Sequence, residues 1–128
     1  MSFTHTIVES VSTSGRTLTR QNSYSGDSEP SISKSIPDQS TDYEIQFALD
    51  VSKTGLIYIV SDQDVTLETN SGSSPDDTVN LKAGVPYIWT EDSYHTPLLT
   101  VDVTALFITN TSGAAAQLEI EALYNPTP

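Results

Sequence analysis

Three observations predict an all-β fold, a single antiparallel β-sandwich of jelly-roll-like form carrying a polar N-terminal loop or arm. Apolar and polar residues alternate with period two along most of the chain, helical periodicity is scarce, and β-branched residues are abundant. Strand-forming runs separated by turn signals at short intervals favour a sandwich or jelly-roll architecture. At 128 residues the chain fits one domain, residues 1–128. A globule of that size buries roughly 65 to 70% of the surface its unfolded form exposes, enough to hold together without a covalent staple.

FTHTIVESV near the start reads as a strand. Residues 12–42, STSGRTLTRQNSYSGDSEPSISKSIPDQSTD, are serine-rich and poor in large apolar residues, and such a segment offsets little of its ordering entropy by burial. A long loop or arm is one reading; two short edge strands around RTLTR and SISKSI, both of which alternate, is the other. In YEIQFALDV, Tyr43, Ile45, Phe47, Leu49 and Val51 share an inner face opposite Glu44, Gln46 and Asp50. A reversal is expected at Thr54-Gly55. LIYIV, Leu56 to Val60, is apolar on both faces, which marks a central strand or one covered by another element.

VTLET, TVNL and VPYIWT follow as strands, with Pro86 near the start of the last, where a strand tolerates a missing donor. In LLTVDVTALFI, Leu99, Val101, Val103, Ala105 and Phe107 are expected on the core face, with Leu106 and Ile108 making the outer face apolar near the end. TNTSGAAA reads as a hairpin loop. In the final strand Leu118, Ile120, Ala122 and Tyr124 face one way and Gln117, Glu119 and Glu121 the other.

Charge narrows the function. Seventeen acids against five bases give a net charge of −12, with −2 on residues 1–42 and −10 on residues 43–128. Such a surface repels phosphate, so nucleic acid is not an expected partner. No run approaches the roughly 18 apolar residues of a membrane span, and MSFTHTIVES lacks the basic start and apolar run of a secretory signal. A protein made in the cytoplasm, with no membrane partner, is expected. With no cysteine there is no thiolate zinc site, iron–sulfur cluster or cysteine nucleophile.

The acid-rich stretch SDQDVTLETNSGSSPDD fails as a calcium loop. Counted from Asp62, position six is Leu67 where a glycine is needed, and position twelve is Ser73 where a bidentate Glu is needed. Parity places Asp62, Asp64, Thr66 and Glu68 on the outer face of a strand whose Val65 and Leu67 enter the core, and Asp76 and Asp77 in a turn-rich loop. A looser calcium site built from Asp76, Asp77 and loop carbonyls stays open as a minor alternative, since carboxylate-rich loops are common on acidic proteins; a glycosidase-like carboxylate pair lacks any sign of a cleft. His5 and His95 belong to no HExxH, HxH or GxSxG setting, and the six glycines form no phosphate-binding loop. Asn110-Thr111-Ser112 matches a glycosylation acceptor but reads better as hairpin turn. No catalytic residue, cofactor or metal set is therefore expected.

Tyr87 and Trp89 share a strand face with Val85 and either fill the core or form an aromatic platform for sugar or protein, core packing being favoured. For a protein interface the candidates are Arg16, Arg20 and Tyr24 in the polar segment and Tyr94 and His95 in the EDSYHTP loop.

The stretches YIVSDQDVTLETN, NLKAGVPYIW and LFITNTSGAAAQLEIEAL resemble the small β-sandwich structural proteins of tailed-bacteriophage virions, most closely head decoration, or cement, proteins. The likeness lies in motif style and strand order and covers much of the C-terminal two thirds. It implies a non-enzymatic protein on the capsid exterior that binds the major capsid protein and stabilises the assembled head, and a homo-oligomer, with a trimer favoured. Another neck, tail or fibre-associated virion protein, or a carbohydrate-binding sandwich module, is the alternative.

Overall fold

A computed structural model describes residues 2–125. Ten strands are present among them: β1 (Phe3–Ser12), β2 (Thr17–Gly26), β3 (Ser31–Ile36), β4 (Ser40–Leu49), β5 (Thr54–Ser61), β6 (Val65–Thr69), β7 (Thr78–Leu81), β8 (Tyr87–Thr90), β9 (Val103–Asn110) and β10 (Ala116–Tyr124). β3, β10, β5 and β8 form one four-stranded sheet in that order, and β4, β9, β6 and β7 form another. All pairings are antiparallel, and from β3 onward every connection except β6 to β7 passes from one sheet to the other. That winding makes an eight-stranded jelly roll. β1 and β2 stand apart as a two-stranded ribbon, paired in unbroken register from Phe3–Gly26 to Ser12–Thr17.

The core lies between the two four-stranded sheets. Ile57, Ile59, Leu118, Ile120 and Ala122 project into it from one sheet, and Ile45, Phe47, Leu49, Val65, Leu67 and Val79 from the other. The alternation in YEIQFALDV and AAQLEIEALY places these residues as expected. In β9, by contrast, the core takes Val103, Leu106 and Ile108, while Phe107 pairs with Glu44 on the outside. The register of β4 against β9 shifts between Gln46 and Leu49, so a strict odd-number parity does not survive along β9. The strand also starts at Val103; Leu99 reaches the core from the preceding loop, and Val101 is exposed.

The polar segment 12–42 is mostly strand. RTLTR lies at the start of β2 and SISKSI is β3, an edge strand paired with β10. Its ladder partners come from distant sequence, so its backbone groups are satisfied although its own composition buries little; Ile36 alone is fully buried. The reversal before β5 is a 3₁₀ turn at Val51–Lys53, one step earlier than Thr54-Gly55, because the Asp50 carboxylate accepts the Ser52 N–H at 3.1 Å and caps it.

Asn110 ends β9 in the turn before β10 and has no exposed surface. Its Nδ2 donates to the carbonyls of Ile36, Pro37 and Ala114, and its Oδ1 accepts from the Ser112 N–H and hydroxyl. The residue that heads the glycosylation-like triplet is thus a structural pin joining the β9–β10 turn to the end of β3. Asn110→Ala leaves several of these buried groups unpaired and should lower stability by about 2–4 kcal/mol, at roughly 1–3 kcal/mol for each unsatisfied group; chemical denaturation measures it.

Candidate binding surface

The outer face of the β3-β10-β5-β8 sheet carries what the two-sided apolar pattern of LIYIV requires. Leu56 and Leu123 point away from the core and are nonetheless buried, because Tyr24, Phe3 and Ile7 of the ribbon pack over them as a second apolar cluster. Burial of each such side chain stabilises by about 1.5–3 kcal/mol. The backbones approach closely at Gly26, where an added Cβ would lie 2.0 Å from the Tyr124 carbonyl oxygen. Main-chain bonds from Asp27 N–H to Tyr124 O and from Tyr124 N–H to Ser28 O continue the seam.

On either side of this seam lies an open hollow. One, of about 480 Å³, runs between β1 and the sheet, with His5, Tyr58, Ile88, Glu119 and Glu121 on its walls. The other, of about 470 Å³, lies between the ribbon and the loop after β8 and is bordered by Glu9, Asn22, Tyr24, Asp92, Tyr94 and His95.

Three of the five interface candidates therefore converge, in different roles. Tyr24 is only 9% exposed and anchors the ribbon; its hydroxyl donates to Thr90 Oγ1 at 3.2 Å. That makes it a support for the surface and leaves little of it free to touch a partner. Tyr94 is fully exposed and His95 lies beside it. The loop bearing them is held from beneath by the aromatics of β8. Trp89 Nε1 donates to the His95 carbonyl at 3.0 Å, and the Tyr87 hydroxyl accepts the Leu98 N–H at 2.8 Å. Both rings pack against the core, while Val85 is exposed. Burial pushes the Tyr87 hydroxyl pKa up, with the Leu98 bond partly opposing it. Arg16 sits in the β1–β2 turn and Arg20 opposite Glu9, both exposed in the outer half of the ribbon; neither lines a hollow, although Glu9, the cross-strand partner of Arg20, borders the second.

The ribbon face that covers the sheet continues outward. Cross-strand pairs His5–Tyr24, Ile7–Asn22, Glu9–Arg20 and Val11–Leu18 follow one another on that face. Its inner end is buried; at its outer end Val11 and Leu18 are 60% and 46% exposed.

Three of the five acids of SDQDVTLETNSGSSPDD accept backbone N–H groups. Asp62 and Asp64 lie in the β5–β6 turn, before the strand begins at Val65; each accepts an N–H, from Gln117 and Ala83 respectively, at 2.8 Å. Their place is fixed by these bonds and not by strand parity. Asp77 accepts from Thr100 N–H and Oγ1 and from Val101 N–H, and Asp76 accepts from Asn70 Nδ2. Glu68 does lie on the outer face of β6, where desolvation and then the neighbouring Asp42 carboxylate raise its pKa above the ordinary 4.5.

Sequence reasoning did not find the grouping of His5, Glu29 and Glu121. His5 Nε2 lies 2.6 Å from Glu29 Oε2, and one donor atom from each of the three residues falls within 4.8 Å of the others. They come from β1, the link between β2 and β3, and β10, so no local spacing announces them. Desolvation is the largest influence raising the Glu121 pKa; nearby Glu29 and Glu119 raise it further, and His5 opposes them. Comparison with protein-family models, with curated proteins and with solved structures gave no match.

Two outcomes test this surface. Tyr24→Phe should cost about 0.5–1.5 kcal/mol through its hydrogen bond, whereas Tyr24→Ala should free the ribbon, seen as loss of amide-exchange protection in residues 3–12 and 17–26 with the sandwich amides still protected. Because the folded pKa of Glu68 is raised, its ionisation destabilises the fold as pH rises through that value. Glu68→Gln should therefore raise the melting temperature at neutral pH, and the gain should vanish below about pH 4.

Proposed function

We propose that the protein is a non-enzymatic virion structural protein of a tailed bacteriophage, a decoration protein that binds the major capsid protein on the outside of the head and does so as a homo-oligomer. The observation that carries this reading is the ribbon: its base is packed on the sandwich, and its outer half presents Val8, Val11 and Leu18 to solvent. A rigid scaffold with apolar residues displayed on a paired, projecting element suits a protein whose work is contact, where a few apolar anchors dominate the binding energy. The sequence likeness to cement proteins adds the class of partner. Cyclic symmetry would let several such ribbons engage at once, multiplying weak contacts.

The test is co-sedimentation with purified heads that lack the protein, together with light scattering of the isolated chain. Wild type should be oligomeric and bind heads; the double variant Val11→Asp and Leu18→Asp should keep its melting temperature and bind at least tenfold more weakly. A monomer that ignores heads, or electron-microscopic density confined to the tail, overturns the decoration role.

Tyr94 favours a second reading, a carbohydrate-binding module. Its exposed ring stands beside a hollow with Glu9, Asn22 and Asp92 on its walls, an arrangement suited to stacking on a sugar and hydrogen-bonding its hydroxyls. Specific binding on a glycan array, lost in Tyr94→Ala, would support this reading over the first.

A further inference from the structure

We propose that His5, Glu29 and Glu121 form a binding site for a divalent transition metal of the zinc type, which clamps the N-terminal ribbon to the sandwich. The three residues present one imidazole nitrogen and two carboxylate oxygens, and the donor atoms already lie within 4.8 Å of one another. Bound to zinc at roughly 2.0–2.2 Å, tetrahedral ligand atoms sit roughly 3.4 Å apart. Reaching that arrangement requires the 2.6 Å His5–Glu29 contact to open slightly and Glu121 to move inward.

The electrostatics favour a cation at this point. Two carboxylates and a neutral imidazole balance a doubly charged ion, and Glu119 lines the same hollow. Glu121 is the unused member of the group. Among the described residues its carboxylate accepts no hydrogen bond, whereas Glu29 is already engaged by His5. The imidazole sets the class of metal. Calcium and magnesium take oxygen donors, while a mixed nitrogen and carboxylate set suits zinc, nickel or copper(II). The open hollow leaves room for a water to complete the coordination.

Because the ligands come from β1, the β2–β3 link and β10, the ion would reinforce a seam held by the Tyr24–Leu56–Leu123 cluster and the main-chain bonds between residues 27–28 and Tyr124.

The experiment is titration of the chelator-treated full chain with zinc chloride by calorimetry in a non-coordinating buffer, with melting temperature and amide exchange followed in parallel. Expected are one ion per chain with a dissociation constant of micromolar order or tighter, a higher melting temperature, and greater protection of residues 3–7 and 24–29. Calcium chloride at the same concentration should produce none of these. Glu121→Gln, a change at an exposed position, should preserve the fold and weaken zinc at least tenfold, and His5→Gln should do the same. Absence of one-to-one binding by the wild type overturns the proposal. So does zinc binding by Glu121→Gln as tight as by the wild type, or an equal response to calcium, which would mark diffuse attraction to an acidic surface.

Discussion

The fold depends on β5 being apolar on both faces. Ile57 and Ile59 belong to the core between the sheets, but Leu56 is just as thoroughly buried on the opposite side, next to Leu123 of β10. A jelly roll by itself would leave that side in water. The ribbon is the missing cover, and the chain supplies it through Tyr24, Phe3 and Ile7. A two-stranded hairpin is marginal alone, so cover and covered stabilise each other. Gly26 makes the arrangement possible, since any side chain there would collide with the Tyr124 carbonyl. Everything distinctive about the surface follows: the two hollows flank this seam, the His5 group lies across it, and the Tyr24 hydroxyl meets the turn that leads to Tyr94.

The second economy is polar. Long connections need their N–H groups satisfied, and this chain satisfies many of them with short acidic or amide side chains. Asp50, Asp62, Asp64, Asp77 and Asp102 each accept at least one backbone N–H. Asn70, in the left-handed conformation with φ of 69°, accepts from Thr104 N–H and hydroxyl and donates to the Asp102 carbonyl and the Asp76 carboxylate. Part of the −12 net charge is therefore structural, a set of acceptors that fix loops in a chain without disulfides.

Legibility in the sequence tracks how local each cause is. β10 and β4 alternate because one sheet face meets the core, and that pattern is written in consecutive residues. β6 and β7 are likewise visible in VTLET and TVNL. The β9 parity is not, because a register shift against β4 moves Leu106 and Ile108 into the core, and a shift is a property of a pair of strands. β3 and β2 look weak by composition because their stability comes from partners: β10, some eighty residues away, and β1. Both faces of LIYIV announced a covering element, but not which one. Of the candidate surface, Tyr94 and His95 were legible as loop residues between a strand and a proline, whereas Glu29 and Glu121 join His5 only through the tertiary path of the ribbon.

That path also changes what kind of arm the N-terminal region is. A polar, unpaired segment would order on contact with a neighbour, and the lost backbone freedom, about 1–2 kcal/mol per residue, would subtract from binding. Here ten consecutive residue pairs fix the ribbon in register before any partner arrives, and Tyr24 fixes its base. Little ordering remains for Val11 and Leu18 to oppose, so in the proposed decoration role modest apolar contacts at the outer end would translate more fully into affinity. The same rigidity limits the ribbon's reach, since a paired element swings about its base and does not extend. In the proposed decoration role, the angle at the base would decide which neighbour the outer end meets, and Gly26, Tyr24 and the His5–Glu29 pair, which hold the base, would act on recognition without touching the partner.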